Sequence, residues 1–132
     1  MTSADLTSPG IKKPAATYKV LAADELAEEG LAFIRCQNDA ELAYKPGLGE
    51  QEMAEIIGKH DGMIVRSGVK ITAKVLLEPG RLKVIARAGV GVDNIDIEAA
   101  TRAGILVINT AETSTTTTAE HAFALMLGLA RN

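Results

Sequence analysis

The chain has 132 residues, 47% of them apolar but only 3% aromatic and none of them Trp, so a single domain's core must be filled by Ala, Val, Ile and Leu. A formal charge of -3 and a pI near 5.4 argue against a general binder of nucleic acid or of anionic membranes. A single cysteine, Cys36, excludes an internal disulfide and fits a reducing cytoplasm.

In chain order, residues 1–17 form a polar leader with Pro9-Gly10 and Pro14. It lacks the apolar core of a signal peptide and has too little apolar surface to offset its ordering entropy, so disorder is expected. Tyr18 to Ala22 reads as the first strand. Asp24 is expected to cap a helix from Glu25 to about Gln37, with Leu26, Gly30, Phe33 and Ile34 on its inner face. Cys36, late in that helix, is read as structural. Ala40 to Tyr44 is shorter and more polar, which suits a sheet edge. Lys45-Pro46-Gly47 then turns into a helix from Glu50 to Lys59, with Met53, Ile56 and Ile57 facing inward and His60 in solvent.

Met63 to Val65 is the third strand and Arg66-Ser67-Gly68 its tip. Thr72 to Leu77 is expected to be a brief helix stopped by Pro79-Gly80. Leu82 to Ala86 forms the fourth strand. A helix from Asp96 to Ala103 ends at Gly104, a C′ glycine. Ile105 to Ile108 is the fifth strand, with Asn109-Thr110 at its tip.

Strands thus alternate with helical stretches, and strands three to five are continuous apolar runs, the mark of parallel strands buried on both faces. Right-handed crossovers leave few topologies. The choice is an α/β, flavodoxin-like parallel five-stranded sheet of order 2-1-3-4-5, helices on both faces, with the functional crevice at the strands' carboxyl ends. Those ends carry Asp24, Lys45, Arg66-Ser67, Arg87 with the turn Gly89-Val90-Gly91, and Asn109. In an acidic chain this edge gathers three cations, free amides and neutral hydrogen-bonding groups. Such groups bind phosphate and carboxylate, so a small substrate with two anionic ends fits. The blander reading pairs Arg66 and Arg87 with Asp24, Asp61 or Asp93.

The glycine turn itself admits two readings, a cradle for a small anion or a tight turn that binds nothing. It is not a dinucleotide fingerprint, because Asn94 stands where G-x-G-x-x-G needs its last glycine or alanine.

Thr117-Thr118-Ala119-Glu120 has the form of a capping box, which starts the last helix near Thr117 and leaves Thr115 and Thr116 as connector. From Ala122 to Ala130 every residue is apolar or glycine, all round the helix. The run is far shorter than the roughly 20 residues that span a membrane. It therefore calls for cover on two sides, from another domain or another subunit, and a homodimer through residues 117–131 is expected. His121, in the first turn, is read as a packing residue.

The stretches VRSGVKIT (65–72), VIARAGVGVDNIDIEAATRAGILVINT (84–110) and TTAEHAFALMLGLARN (117–132) resemble the NAD-dependent D-2-hydroxyacid dehydrogenases, and among them the D-3-phosphoglycerate dehydrogenases. The likeness covers about residues 18–132. It implies the first part of a flavodoxin-like substrate domain, with residues 117–131 as the helix that crosses into a Rossmann domain. It places phosphate binding on Arg66 and Ser67, substrate carboxylate on Gly89, Val90 and Gly91, and further substrate contacts on Asn109 and Lys45. Val90 would also approach the NAD cofactor. The parent reaction would be NAD-dependent oxidation of 3-phosphoglycerate.

Two positions depart from the family pattern. Asn109-Thr110-Ala111 stands for Asn-Ala-Pro, and Ser114 for an Asn. The family's fingerprint, its ribose-binding acid and its catalytic Arg, Glu and His have no counterpart here, so no catalytic or metal-binding residue is assigned. The expectation is a truncated substrate-binding domain that is inactive alone, needs no cofactor itself and resides in the cytoplasm. A receiver domain would need a carboxylate where Arg66 stands, and a flavodoxin a phosphate loop where Ala22-Ala23-Asp24-Glu25 stands. The remaining alternative is a structural, self-dimerising domain with no ligand.

Overall fold

The computed structural model describes residues 17–111 and 115–131; the leader up to residue 16 and Ser114 lie outside the described residues. Its elements are β1 (Tyr18–Ala22), α1 (Glu28–Arg35), β2 (Ala40–Tyr44), α2 (Glu50–Ile57), β3 (Gly62–Val65), β4 (Val84–Arg87), α3 (Ile97–Arg102), β5 (Leu106–Asn109) and α4 (Thr115–Ala130). The five strands form one all-parallel sheet of order β2-β1-β3-β4-β5. This is the α/β, flavodoxin-like arrangement expected from the sequence.

Register explains how the core divides. Leu21, Met63 and Ile85 lie opposite one another across the sheet, as do Val65 and Arg87, and all five are buried. The four apolar ones join Met53 and Ile57 of α2, Val75 and Leu76 of the 72–77 segment, and Ala99 and Ala100 of α3 in one continuous core. Side chains alternate faces along a strand, so the rows Val20–Gly62–Val84–Leu106 and Ala22–Ile64–Ala86–Ile108 belong to the other face. Reversing direction after β1 puts α1 on that second face by crossover handedness. There Leu31 is buried, but the rows become progressively barer towards β5, where Leu106 is 62% and Ile108 48% exposed.

The edges of several elements differ from expectation. Asp24 does not cap α1, which starts at Glu28 behind an uncapped Ala27, because its carboxylate serves the β3 tip instead. Leu31 rather than Phe33 is the buried anchor of α1. Cys36 is exposed and its thiol donates to the Phe33 carbonyl. The 72–77 segment is a turn with a single α-type bond, Leu76 N–H to Thr72 O at 3.3 Å, and not a helix. Its two buried residues, Val75 and Leu76, dock on the core without a further turn.

By contrast α3 starts as expected. Asp96 accepts the Ala99 N–H at 2.8 Å as its N-cap, and Gly104 takes φ 69° just beyond its end. α4 begins at Thr115, so the threonine run is helical rather than a connector and Thr117 is no cap. None of its described residues is buried, His121 included. β5 is likewise not buried on both faces, since no described residue of α4 covers it.

At the opposite, amino-end edge, Asp61 accepts the Lys19 N–H at 2.8 Å and the Arg81 guanidinium at 2.8–3.1 Å. The Lys19 amide, reinforced by Arg81 and by the charge of His60 against a counteracting desolvation, holds this carboxyl below the usual aspartate range. His60 is half-buried rather than free, with Nδ1 2.9 Å from the Ile56 carbonyl.

Candidate functional site

Because every strand is parallel, all five tips open on one edge. Arg66 and Ser67 follow β3, Gly89 to Gly91 follow β4, and Asn109 ends β5, so three neighbouring strands bring these residues together. Lys45 follows β2 and is separated from Arg66 by β1, a distance of roughly 10 Å at two strand spacings. Its N–H is tied to the Ala22 carbonyl and its side chain is exposed, at the margin of the cluster.

The β3 tip is held from both sides by polar side chains. One oxygen of Asp24 accepts the N–H groups of Arg66 (3.0 Å), Gly68 (2.9 Å) and Val69 (3.3 Å). A Cβ on Gly68 would lie 2.7 Å from that carboxylate, which is why the loop can close so tightly around it. On the other side, Asn94 donates from Nδ2 to the carbonyls of Arg66 (2.6 Å) and Val69 (2.7 Å). Its Oδ1 accepts from Nε of Arg87 at 2.7 Å.

Arg87 is the one buried charged residue among the described residues, at 9% exposure. Its Nη1 occupies the space a Cβ on Gly89 would need, 2.6 Å away, so guanidinium and glycine turn are packed as one piece. Its Nη2 lies 3.7 Å from the Asp93 carboxylate. The turn is pinned from β5 as well, by Asn109 Nδ2 on the Val90 carbonyl (2.6 Å) and the Thr110 N–H on the Gly89 carbonyl (3.1 Å). Among the described residues, no buried side-chain N or O lacks a hydrogen-bond partner.

What this framework leaves unused faces outward. Arg66 has no carboxylate partner among the described residues and reaches only the Glu25 carbonyl at 3.4 Å. Of the expected ion pairs, Arg87 with Asp93 is present, while Asp24 takes the Arg66 backbone and Asp61 takes Arg81. Among the described residues the N–H groups of Val90 and Gly91 find no partner, and the Val90 side chain is 48% exposed. A free guanidinium, the neighbouring Ser67 hydroxyl and two adjacent free amides can receive an anion at two points. The described residues contain no group of His, Cys, Asp and Glu placed to hold a metal ion. No helix among them is long and apolar enough to cross a membrane.

Residues 20–126 match the family described as D-isomer specific 2-hydroxyacid dehydrogenase, catalytic domain. The chain belongs to that family. Among D-isomer specific 2-hydroxyacid dehydrogenases it is 44% identical, over 86% of its length, to a D-3-phosphoglycerate dehydrogenase of Synechocystis, of which it covers 20%. The PH0520 protein from Pyrococcus horikoshii superposes with a TM-score of 0.76 at 33% identity, covering 86% of this chain and 34% of that one. NAD-bound 3-phosphoglycerate dehydrogenase of Entamoeba histolytica gives 0.65 at 34% identity, covering 72% of this chain and 33% of that one. The chain thus spans about a fifth of the length of the curated relatives it matches.

The relatives' dinucleotide raises the question of whether these residues could cradle one. They do not fit a pyrophosphate. The position that would have to be a bare backbone is Asn94, whose side chain is committed to three hydrogen bonds, and the helix after it has only six residues.

Sequence reasoning put Asp24 at a helix cap, and saw Asn94 only as a broken fingerprint. For Asp24 a signal was available, since the strand order sets the end of β1 beside the tip of β3. For Asn94 there was none, because two of its three partners lie 25 and 28 residues upstream.

Proposed function

We propose that this chain is the anion-binding wall of a D-3-phosphoglycerate dehydrogenase-like substrate domain. Arg66 and Ser67 take the phosphate of 3-phosphoglycerate, the amides of the Gly89–Gly91 turn take its carboxylate, and Asn109 and Lys45 flank them. The observation that carries this reading is the unpaired Arg66 standing beside a pinned turn with two free amides. The NAD-dependent oxidation that this substrate would undergo draws its cofactor site and its acid–base groups from residues other than those described here. Val90 contributes an apolar contact to the cofactor, and the chain alone is inactive.

Half a cleft supplies two or three charge-assisted contacts, each about 1.5–3 kcal/mol before association costs are met. Affinity is therefore expected in the range of about 1 mM. Titrating 15N-labelled chain with 3-phosphoglycerate should shift the amides of Arg66, Ser67, Gly89, Val90, Gly91 and Asn109 together. A spectrum unchanged at about 30 mM, well above that dissociation constant, would sink the reading.

A second reading, a self-associating module, is favoured by one observation. The side chains of Phe123, Leu125, Met126, Leu127 and Leu129 are each 57–79% exposed on α4. Either a Rossmann domain or a second copy of the chain would cover them. The two readings use different residues, those between Lys45 and Asn109 and those of α4, and are compatible.

A further inference from the structure

The Asn94 side chain ties the loop after β3 to Arg87, the side chain on which the glycine turn is packed. Its orientation is dictated by chemistry: Arg87 Nε can only donate, and the Arg66 and Val69 carbonyls can only accept, so Oδ1 must face the former and Nδ2 the latter. Both amide hydrogens are used, and no other residue of similar size offers one acceptor and two donors in that geometry. Asp would turn an oxygen towards two carbonyls. Ala would leave a buried guanidinium and two carbonyls without their shared partner.

The consequence is a fixed spacing. The β3 loop is gripped at its N–H groups by Asp24 and at its carbonyls by Asn94, so its backbone is held from two directions. The glycine turn is built on Arg87, whose Nε hangs on the same Asn94. Nothing in the grip uses the Arg66 guanidinium or the Val90 and Gly91 amides, which remain for a ligand. We infer that Asn94 is a positioning residue that sets the distance between the two anion subsites, and thereby favours a ligand with anionic groups at both ends over either anion alone. This rests on the function proposed above.

Linking two weak contacts in one ligand raises affinity only where both can be made at once, so wild type should bind 3-phosphoglycerate about ten-fold or more tightly than inorganic phosphate. The probes are 3-phosphoglycerate, inorganic phosphate and D-lactate, each titrated into the 15N-labelled full chain. In wild type the Arg66–Ser67 and Gly89–Gly91 amides should follow 3-phosphoglycerate with one shared midpoint. In Asn94→Ala, checked for a cooperative melt, phosphate should still shift Arg66 and Ser67, because Asp24 continues to hold the N–H groups of their loop. The preference for 3-phosphoglycerate over phosphate should fall to within about three-fold, because the second contact is no longer in reach.

A residue that merely supports the fold would weaken phosphate and 3-phosphoglycerate alike, leaving their ratio intact, and that result overturns the inference while the proposed function stands. Wild-type segments titrating with separate midpoints would overturn it without any variant, as a safeguard should Asn94→Ala not fold. Asn94→Ser, which retains one hydroxyl, is the further substitute. Absence of any wild-type shift with either phosphate probe defeats the proposed function itself, and this inference with it.

Discussion

The two faces of the sheet are made from the same strands and the same kinds of residue, yet only one is closed. On one face Leu21, Met63, Val65 and Ile85 are covered by α2, the 72–77 turn and α3. On the other, α1 covers the β1 end, and from Ile64 through Val84 and Ala86 to Leu106 and Ile108 the exposure grows. Hydrophobicity along a strand declares a need for cover but not its source. The open face lies where a further helix would pack in a doubly wound fold, and α4, the apolar helix that follows β5, leaves it bare. The rim of loops after β3 and β4 depends on the closed face, because Val65 and Arg87, which end those strands, are part of it.

The largest difference between the faces should come from paired truncations. Ile85 is fully buried, so Ile85→Ala is expected to cost about 2–5 kcal/mol from lost burial and a residual cavity. Ile108 is about half exposed, and Ile108→Ala should cost less than about 1 kcal/mol. Urea unfolding of both variants checks this. Equal losses would mean that the open face is covered in solution.

How much of this was legible follows the same division. The apolar runs Met63–Val65 and Leu82–Ala86 and the alternation of elements were enough for strand order, because burial and crossover handedness leave little choice. The strand-tip residues Arg66, Ser67, Gly89 and Asn109 could then be placed on one edge without coordinates. What could not be read were long-range assignments among equals. Asp24 is a good helix cap and an equally good acceptor for a neighbouring loop, and only the three N–H groups of that loop decide. Leu31 and Phe33 are both apolar and lie two residues apart, so the true inner face of α1 depended on where the helix began. β5 has the composition of a buried strand and is exposed because its cover is elsewhere.

A smaller effect is expected at the amino-end edge, where Asp61 joins β1 to the segment entering β4. Its carboxyl is held below the usual aspartate range by the Lys19 amide first, with Arg81 and His60 assisting. A depressed native pKa gives stability that is full above the unfolded value near 3.9 and is lost as pH falls through the native one. Wild type should therefore lose melting temperature between pH 5 and pH 3 more steeply than Asp61→Asn, whose neutral amide has no charge to lose. At pH 7 the variant should be the less stable of the two, and on acidification the gap should close. Parallel melting curves across this range would remove Asp61 as the clamp of that edge.

The smallest effect on folding, and the sharpest on assembly, is expected at α4. Phe123, Met126, Leu127 and Ala130 form one stripe, Ala122, Leu125 and Leu129 another, and neither meets the sheet. Fully burying one large apolar side chain contributes about 1.5–3 kcal/mol, so leaving five of them 57–79% exposed forfeits a substantial gain. Pairing two copies along one stripe would take part of this apolar surface out of water in each copy. The bare face at Leu106 and Ile108 adds surface that a partner's helix can reach by exchange. The chain is proposed to be a dimer at concentrations of about 1–10 μM. Leu125→Glu with Leu129→Glu places charge on one stripe and should give a monomer. Because these side chains support nothing inside one copy, its α/β circular dichroism should be retained and its unfolding free energy change by no more than about 0.5 kcal/mol. Sedimentation velocity reads the assembly directly. A wild-type monomer at high concentration would mean that two stripes of apolar helix remain in water, and the pairing would have to be abandoned.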